Sequence, residues 1–188
     1  MTTTLLIICI IGLIILWKDR QKKQVEITKL KDHLFHLYPE QWLRELNERF
    51  YNNETEVEIK FIMPLMMYLG YSLDEMKNRV FVSVQAGTQA LPCEADWIIV
   101  PNTGNSEDRL LIEAKAPSVS LNSVVKKQAQ SYAHTLGIPK YIITNGRQLI
   151  VYDRGVEHDQ EILNLYVNEF AEQWDTIKEA LGPKVETL

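Results

Sequence analysis

The stretch ADWIIVPNTGNSEDRLLIEAK, Ala95 to Lys115, decides how this chain is read. Two apolar runs, ADWIIV and RLLIEAK, flank the polar cluster PNTGNSED, the pattern of two strands joined by a turn. Residues two apart on a strand face the same way, so Glu113 and Lys115 share one face while Ile112 and Ala114 take the other. A hairpin centred between Gly104 and Asn105 then sets Asp96 across from Glu113. Opposed carboxylates repel, so the arrangement needs a cation: Lys115 or a divalent metal. Asp and Glu oxygens suit Mg2+, with the Ala114 carbonyl as a further ligand. Such an ion lowers the pKa of a bound water, and Lys115 beside that water would orient or deprotonate it. This is chemistry for cutting a phosphodiester. The bland alternative is an exposed Glu113–Lys115 ion pair worth under about 1 kcal/mol.

Around this stretch the chain reads as an α/β (α+β-like) protein, a mixed sheet flanked by helices. Helical spacing is expected from Val25 to Tyr38, over PEQWLRELNERFY from Pro39, and from Glu54 to Leu69, where Gly70 is the stop and Pro64 a bend. Short β runs follow at RVFVSVQ, ADWIIV and RLLIEAK. A helix from Asn122 or Ser123 to Leu136 comes next, then KYIITNGRQLIVYD with a hairpin at Asn145-Gly146. A last strand near EILNLYV leads to a helix bearing Phe170, Trp174, Ile177 and Leu181 on one side.

The 188 residues, 46% hydrophobic and 24% charged, suit one globular domain. A net charge of −5 gives no overall pull toward phosphate backbones, so nucleic-acid contact would need a local patch. Cys9 and Cys93 have no zinc-type spacing, and His134 and His158 none either. Thr4 to Trp17 carries no charge, and Lys18, Arg20, Lys22 and Lys23 follow at once. As a helix this run covers about 21 Å, short of the roughly 30 Å hydrocarbon core unless its flanks contribute. We expect a membrane anchor over residues 4–17 with the rest of the chain in the cytoplasm. The expected domains are 1–23 (anchor and basic flank), 24–52 (helical extension) and 53–188.

Taken together, ADWIIV, LLIEAKAP and QAQSYAHTLGIPKYIITNGRQLIVYD resemble the N-terminal nuclease domain of type I restriction enzyme R subunits, in the PD-(D/E)xK nuclease superfamily. The family's ordered aspartate, E-x-K and Q-x-x-x-Y match Asp96, Glu113-Ala114-Lys115, and Gln128 with Tyr132. NETEVEIKFIMPLMMYLGY resembles its first helix, whose acidic residue corresponds to Glu54, with Glu58 one turn away as fallback. The resemblance covers roughly Asn53 to Val167 and implies a restriction-endonuclease-like core and a DNA endonuclease using Mg2+, with Mn2+ as substitute. It implies metal ligands Asp96, Glu113, Ala114 and Glu54, catalytic Lys115, Glu54 and Gln128, and Gln128 and Tyr132 facing the metal site or DNA. Lys126 and Lys127 adjoin Gln128 and could neutralise phosphates, or simply line a solvated helix face. The family's proline before the aspartate is Ala95 here, and no G-x-x-x-x-G-K-[ST] loop is present, so motor or methylation functions would reside on separate subunits. The rival reading is a non-catalytic, membrane-tethered module that binds DNA or protein on the same fold.

Overall fold

The structure is a computed structural model that describes residues 39–86 and 88–184. The apolar segment from Thr4 to Trp17, its basic flank and the expected helix from Val25 to Tyr38 lie outside those residues. Among the described residues no helix is long and apolar enough to cross a membrane.

Helix α1 (Glu40–Glu45) runs into a 3-10 turn at Leu46–Glu48 and turns Trp42, Leu43 and Leu46 inward. The segment expected as one helix is built in three parts: α2 (Glu54–Val57), a π-helical turn (Glu58–Ile62) and α3 (Met63–Leu69). Asn53 caps its start by accepting the Glu56 N–H, and Gly70 ends it at φ 110°, a conformation other residues rarely adopt. Pro64 explains the wide turn. It has no N–H to give, and its ring crowds the preceding turn, so the Met63 N–H bonds back to Glu58 instead.

Six strands follow: β1 (Met76–Ala86), β2 (Gln89–Ile99), β3 (Leu110–Ala114), β4 (Lys140–Thr144), β5 (Gln148–Asp153) and β6 (Gln160–Tyr166). They form one sheet in sequence order, antiparallel except for the parallel pair β3–β4. A parallel pair needs a crossover, and α4 (Ser123–Leu136) supplies it. Asn122 caps α4 by accepting the Val124 and Val125 N–H groups, and Gly137 ends it at φ 63°. Helix α5 (Trp174–Leu181) closes the described chain.

Two apolar layers flank the sheet. One joins Trp42, Phe61, Leu65, Ile112, Phe170 and Ile177 from the N-terminal helices, the sheet and the C-terminal segment. The other packs Val125, Ala129 and Ala133 of α4 against Leu111, Tyr141 and Ile143. Phe61 and Phe170 are fully buried with ring centroids 5.8 Å apart, and each such side chain contributes roughly 1.5–3 kcal/mol. Trp42 and Leu46 share the first layer with Phe61, and the compact unit that contains α1 begins at Pro39.

Candidate active site

Strands β2 and β3 pair Trp97 with Ile112, Ile98 with Leu111 and Ile99 with Leu110, the register expected from the turn. The next positions, Asp96 and Glu113, leave the ladder. Asp96 instead turns its carboxylate across to β3, where Oδ2 accepts the Ala114 N–H at 2.7 Å. Glu113 is 1% exposed. Its Oε1 accepts a hydrogen bond from Lys115 Nζ at 2.5 Å, while its Oε2 is buried without a partner among the described residues. The Lys115 N–H donates to the Thr144 carbonyl at 2.8 Å, which ties the end of β3 to β4. The small side chain of Ala114, fully buried in the opposite layer, lets Glu113 and Lys115 share one face.

Burial and mutual repulsion raise both acids. Asp96 is pushed up to about 6, mainly by burial and further by Glu54 and Glu58, against the Ala114 hydrogen bond and Lys115. Glu113 is pushed up to about 7 by burial and by the Asp96 charge, opposed by Lys115. Burial pulls the Lys115 amine down, yet its hydrogen bond to Glu113 and the charges of Glu113, Glu54 and Asp96 hold it above its ordinary value. Lys115 is therefore an ammonium at neutral pH. The site holds more negative charge than one lysine neutralises.

Glu54 opens α2, and its charge acts on Asp96, Glu113 and Lys115 alike. Glu58, held only in reserve by sequence reasoning, also acts on Asp96, and its Oε2 accepts the Trp97 indole N–H at 2.8 Å. That bond ties the π-helical turn to β2 beside Asp96. Sequence reasoning missed Trp97. Its place next to Asp96 and its lone indole donor were the available signal.

The α4 residues divide. Gln128 Nε2 donates to Tyr132 Oη at 3.3 Å. Tyr132 is buried in the α4 layer, and its phenol is raised by burial, with Glu113 and Cys93 adding to the rise against the Gln128 bond. Gln128 and Tyr132 thus back the Glu113 side of the site. Lys126 and Lys127 do not join it. The Lys126 ammonium sits 4.2 Å from the centre of the Tyr152 ring, a cation–π contact. Lys127 lines a separate depression with Gln85, His134 and Arg154. On a helix, adjacent residues point in different directions, which is why neighbours of Gln128 in sequence leave it in space.

No group of three or more His, Cys, Asp or Glu side chains among the described residues could hold a metal ion. Asp96 and Glu113 meet at the Ala114 backbone, and the charge of Glu54 bears on both carboxylates. One or two carboxylates with waters completing the shell is the usual environment of Mg2+, and the partnerless Glu113 Oε2 is an oxygen that fits a cation.

A mixed six-stranded sheet flanked by helices makes this an α/β domain. The family described as Type I restriction enzyme R protein N terminus matches residues 53–166, and the chain belongs to that family. Among solved structures, a fragment assigned to an HsdR subunit of a type I restriction enzyme from Vibrio vulnificus YJ016 is similar, at 18% identity and TM-score 0.44. The match covers 66% of this chain and 25% of that one. Comparison with curated proteins finds no match.

Proposed function

We propose that the chain is a Mg2+-dependent DNA endonuclease, with Mn2+ as a substitute ion, acting at the junction of β2 and β3. The observation that carries this reading is the Asp96 carboxylate fastened to the Ala114 N–H beside a buried Glu113 with one free oxygen. Asp96, Glu113 and the Ala114 carbonyl would hold the ion, which when bound supplies charge neutralisation and acidifies a coordinated water. Held as an ammonium, Lys115 donates a hydrogen bond to orient the attacking water and stabilises charge growing on the phosphate oxygens. Glu54, whose charge reaches Asp96, Glu113 and Lys115, would assist the ion or the water. Glu58 fixes Trp97, and through it the backbone of β2 beside Asp96. Gln128, which donates to Tyr132 on α4, would position the site and, with Tyr132, face the DNA.

Membership of the family supports DNA as substrate, with motor and methylation subunits as partners. The apolar run from Thr4 to Trp17 and the basic residues after it support tethering to a membrane, with the nuclease unit on the cytoplasmic side. The test is cleavage of supercoiled plasmid by the full chain with Mg2+, comparing wild type with Lys115→Ala and Asp96→Asn. Nicking by wild type alone is expected. Equal cutting by all three overturns the site assignment, and no cutting by wild type with either ion favours the non-catalytic binding module.

A further inference from the structure

Strands β1 and β2 pair one for one from Met76 with Ile99 to Ala86 with Gln89, except that Arg79 and Asp96 drop out. Arg79 is the one non-glycine residue with positive φ among the described residues, at 50°. L side chains avoid this left-handed region, so the backbone is strained there. Its side chain is exposed, and no hydrogen bond or ion pair holds it among the described residues.

The packing shows what happens at this pair. Residues two apart on a regular strand share a face. Trp97 packs in the layer under the N-terminal helices, yet Ala95, two residues earlier, packs in the α4 layer. On β1, Met76 lies in the first layer while Val80 and Val82 lie against the second. Both strands therefore turn over between these points, and Arg79 and Asp96 are the pivot. Beyond it β2 no longer pairs with β3, so the Ala114 N–H has lost its ladder acceptor on that side. The Asp96 carboxylate takes that place at 2.7 Å.

We infer that Arg79 is a positioning residue: its left-handed backbone conformation turns the β1–β2 ribbon over at Asp96 and delivers that carboxylate to the Ala114 N–H. Kinks next to active sites often re-aim a side chain in this way, and strain at such sites persists only where the surroundings hold it. The guanidinium takes no part, which separates this account from one based on Arg79 charge. The consequence for ion binding rests on the proposed nuclease function; the consequence for Ala114 does not.

The test uses the full chain with Arg79→Gly, which accepts positive φ, and Arg79→Val, whose branched side chain resists it. Hydrogen exchange at the Ala114 amide is read in metal-free protein, and Mn2+ affinity by electron paramagnetic resonance. Arg79→Gly keeps both at wild-type values. Arg79→Val speeds Ala114 exchange and weakens Mn2+ binding by about tenfold or more, the usual scale for a group that orients a ligand, with Leu111 and Ile142 amides still protected. The proposal is overturned if Arg79→Val leaves Ala114 protected, or if Arg79→Gly loses protection equally, which would assign the effect to charge. Should Arg79→Val unfold the sheet, Gly, Asn and Ala decide: Gly and Asn above Ala supports the proposal, and Ala at or above Gly sinks it. If Ala114 follows the expected pattern while the wild type binds no Mn2+, the positioning stands and the nuclease reading fails.

Discussion

Replacing Lys115 with alanine should destabilise the metal-free protein in a strongly pH-dependent way. The substitution removes the ammonium 2.5 Å from Glu113 Oε1 and leaves both oxygens of a 1%-exposed side chain without partners. Breaking a buried pair costs about 3–5 kcal/mol when the remaining group stays charged. Glu113 can instead take up a proton, because its carboxyl already sits at about 7, against an ordinary 4.5. Losing Lys115 removes the hydrogen bond and charge that oppose this rise, so the value climbs further. A carboxyl raised on folding binds more protons in the folded state than in the unfolded. Its effect on stability is absent below the unfolded pKa and grows unfavourable as pH rises toward the folded value. In wild type that decline ends near pH 7; in the variant it continues at about 1.4 kcal/mol per pH unit. The penalty of Lys115→Ala should therefore be about 2 kcal/mol larger at pH 8.5 than at pH 6. Urea denaturation in EDTA at the two pH values measures it. Equal penalties would refute the coupling between Lys115 and the buried Glu113 charge.

Three further outcomes are expected. Glu113→Gln removes a buried charge whose carboxyl is raised from 4.5 to about 7 while keeping the shape, so at pH 8 without metal it should match or exceed wild type in stability by up to about 3 kcal/mol, yet lose the rise in melting temperature produced by Mg2+; a variant that Mg2+ still stabilises would count against Glu113 as a ligand. Metal-free wild type should lose stability as pH rises from about 4.5 to about 7, because Asp96 and Glu113 both carry raised values, and saturating Mg2+ should flatten that slope; a rising stability in EDTA would contradict the charge crowding. Gly146→Ala should lower stability by about 2 kcal/mol or more, since its φ is 77° and an added Cβ would lie 2.8 Å from the Tyr51 ring. A neutral result in thermal melts would mean the turn does not pack on Tyr51.

Much of the fold follows from local chemistry that a sequence displays. The β2–β3 register came from the polar cluster between two apolar runs, and α4 from Asn122 and Gly137 at its two ends. What escaped depends on contacts between distant segments. Pro92 argues against a strand, yet β2 runs through it opposite Ser83. The missing N–H is tolerated because β3 pairs only from Trp97 onward, leaving that side of β2 unpaired. Pro64 signalled a bend, but nothing local distinguishes a kink from the π-helical turn that ties Glu58 to Trp97. Lys126 and Lys127 were legible as cations but not as directions, since Tyr152 lies on a strand reached only through the crossover. Asp96, Glu113 and Lys115 were legible as a set because strand pairing is periodic; the reversal of β2 at Asp96, which aims its carboxylate at Ala114, has no local signature beyond the strand itself.

The most direct measurement is the anomalous scattering of a crystal of the full chain soaked in Mn2+. One peak is expected, bound by Asp96 and by Glu113 Oε2, within about 2.3 Å of each carboxylate oxygen and close to the Ala114 carbonyl. A soaked crystal in which Glu113 Oε2 still has no partner, or in which Mn2+ binds away from both carboxylates, would contradict it.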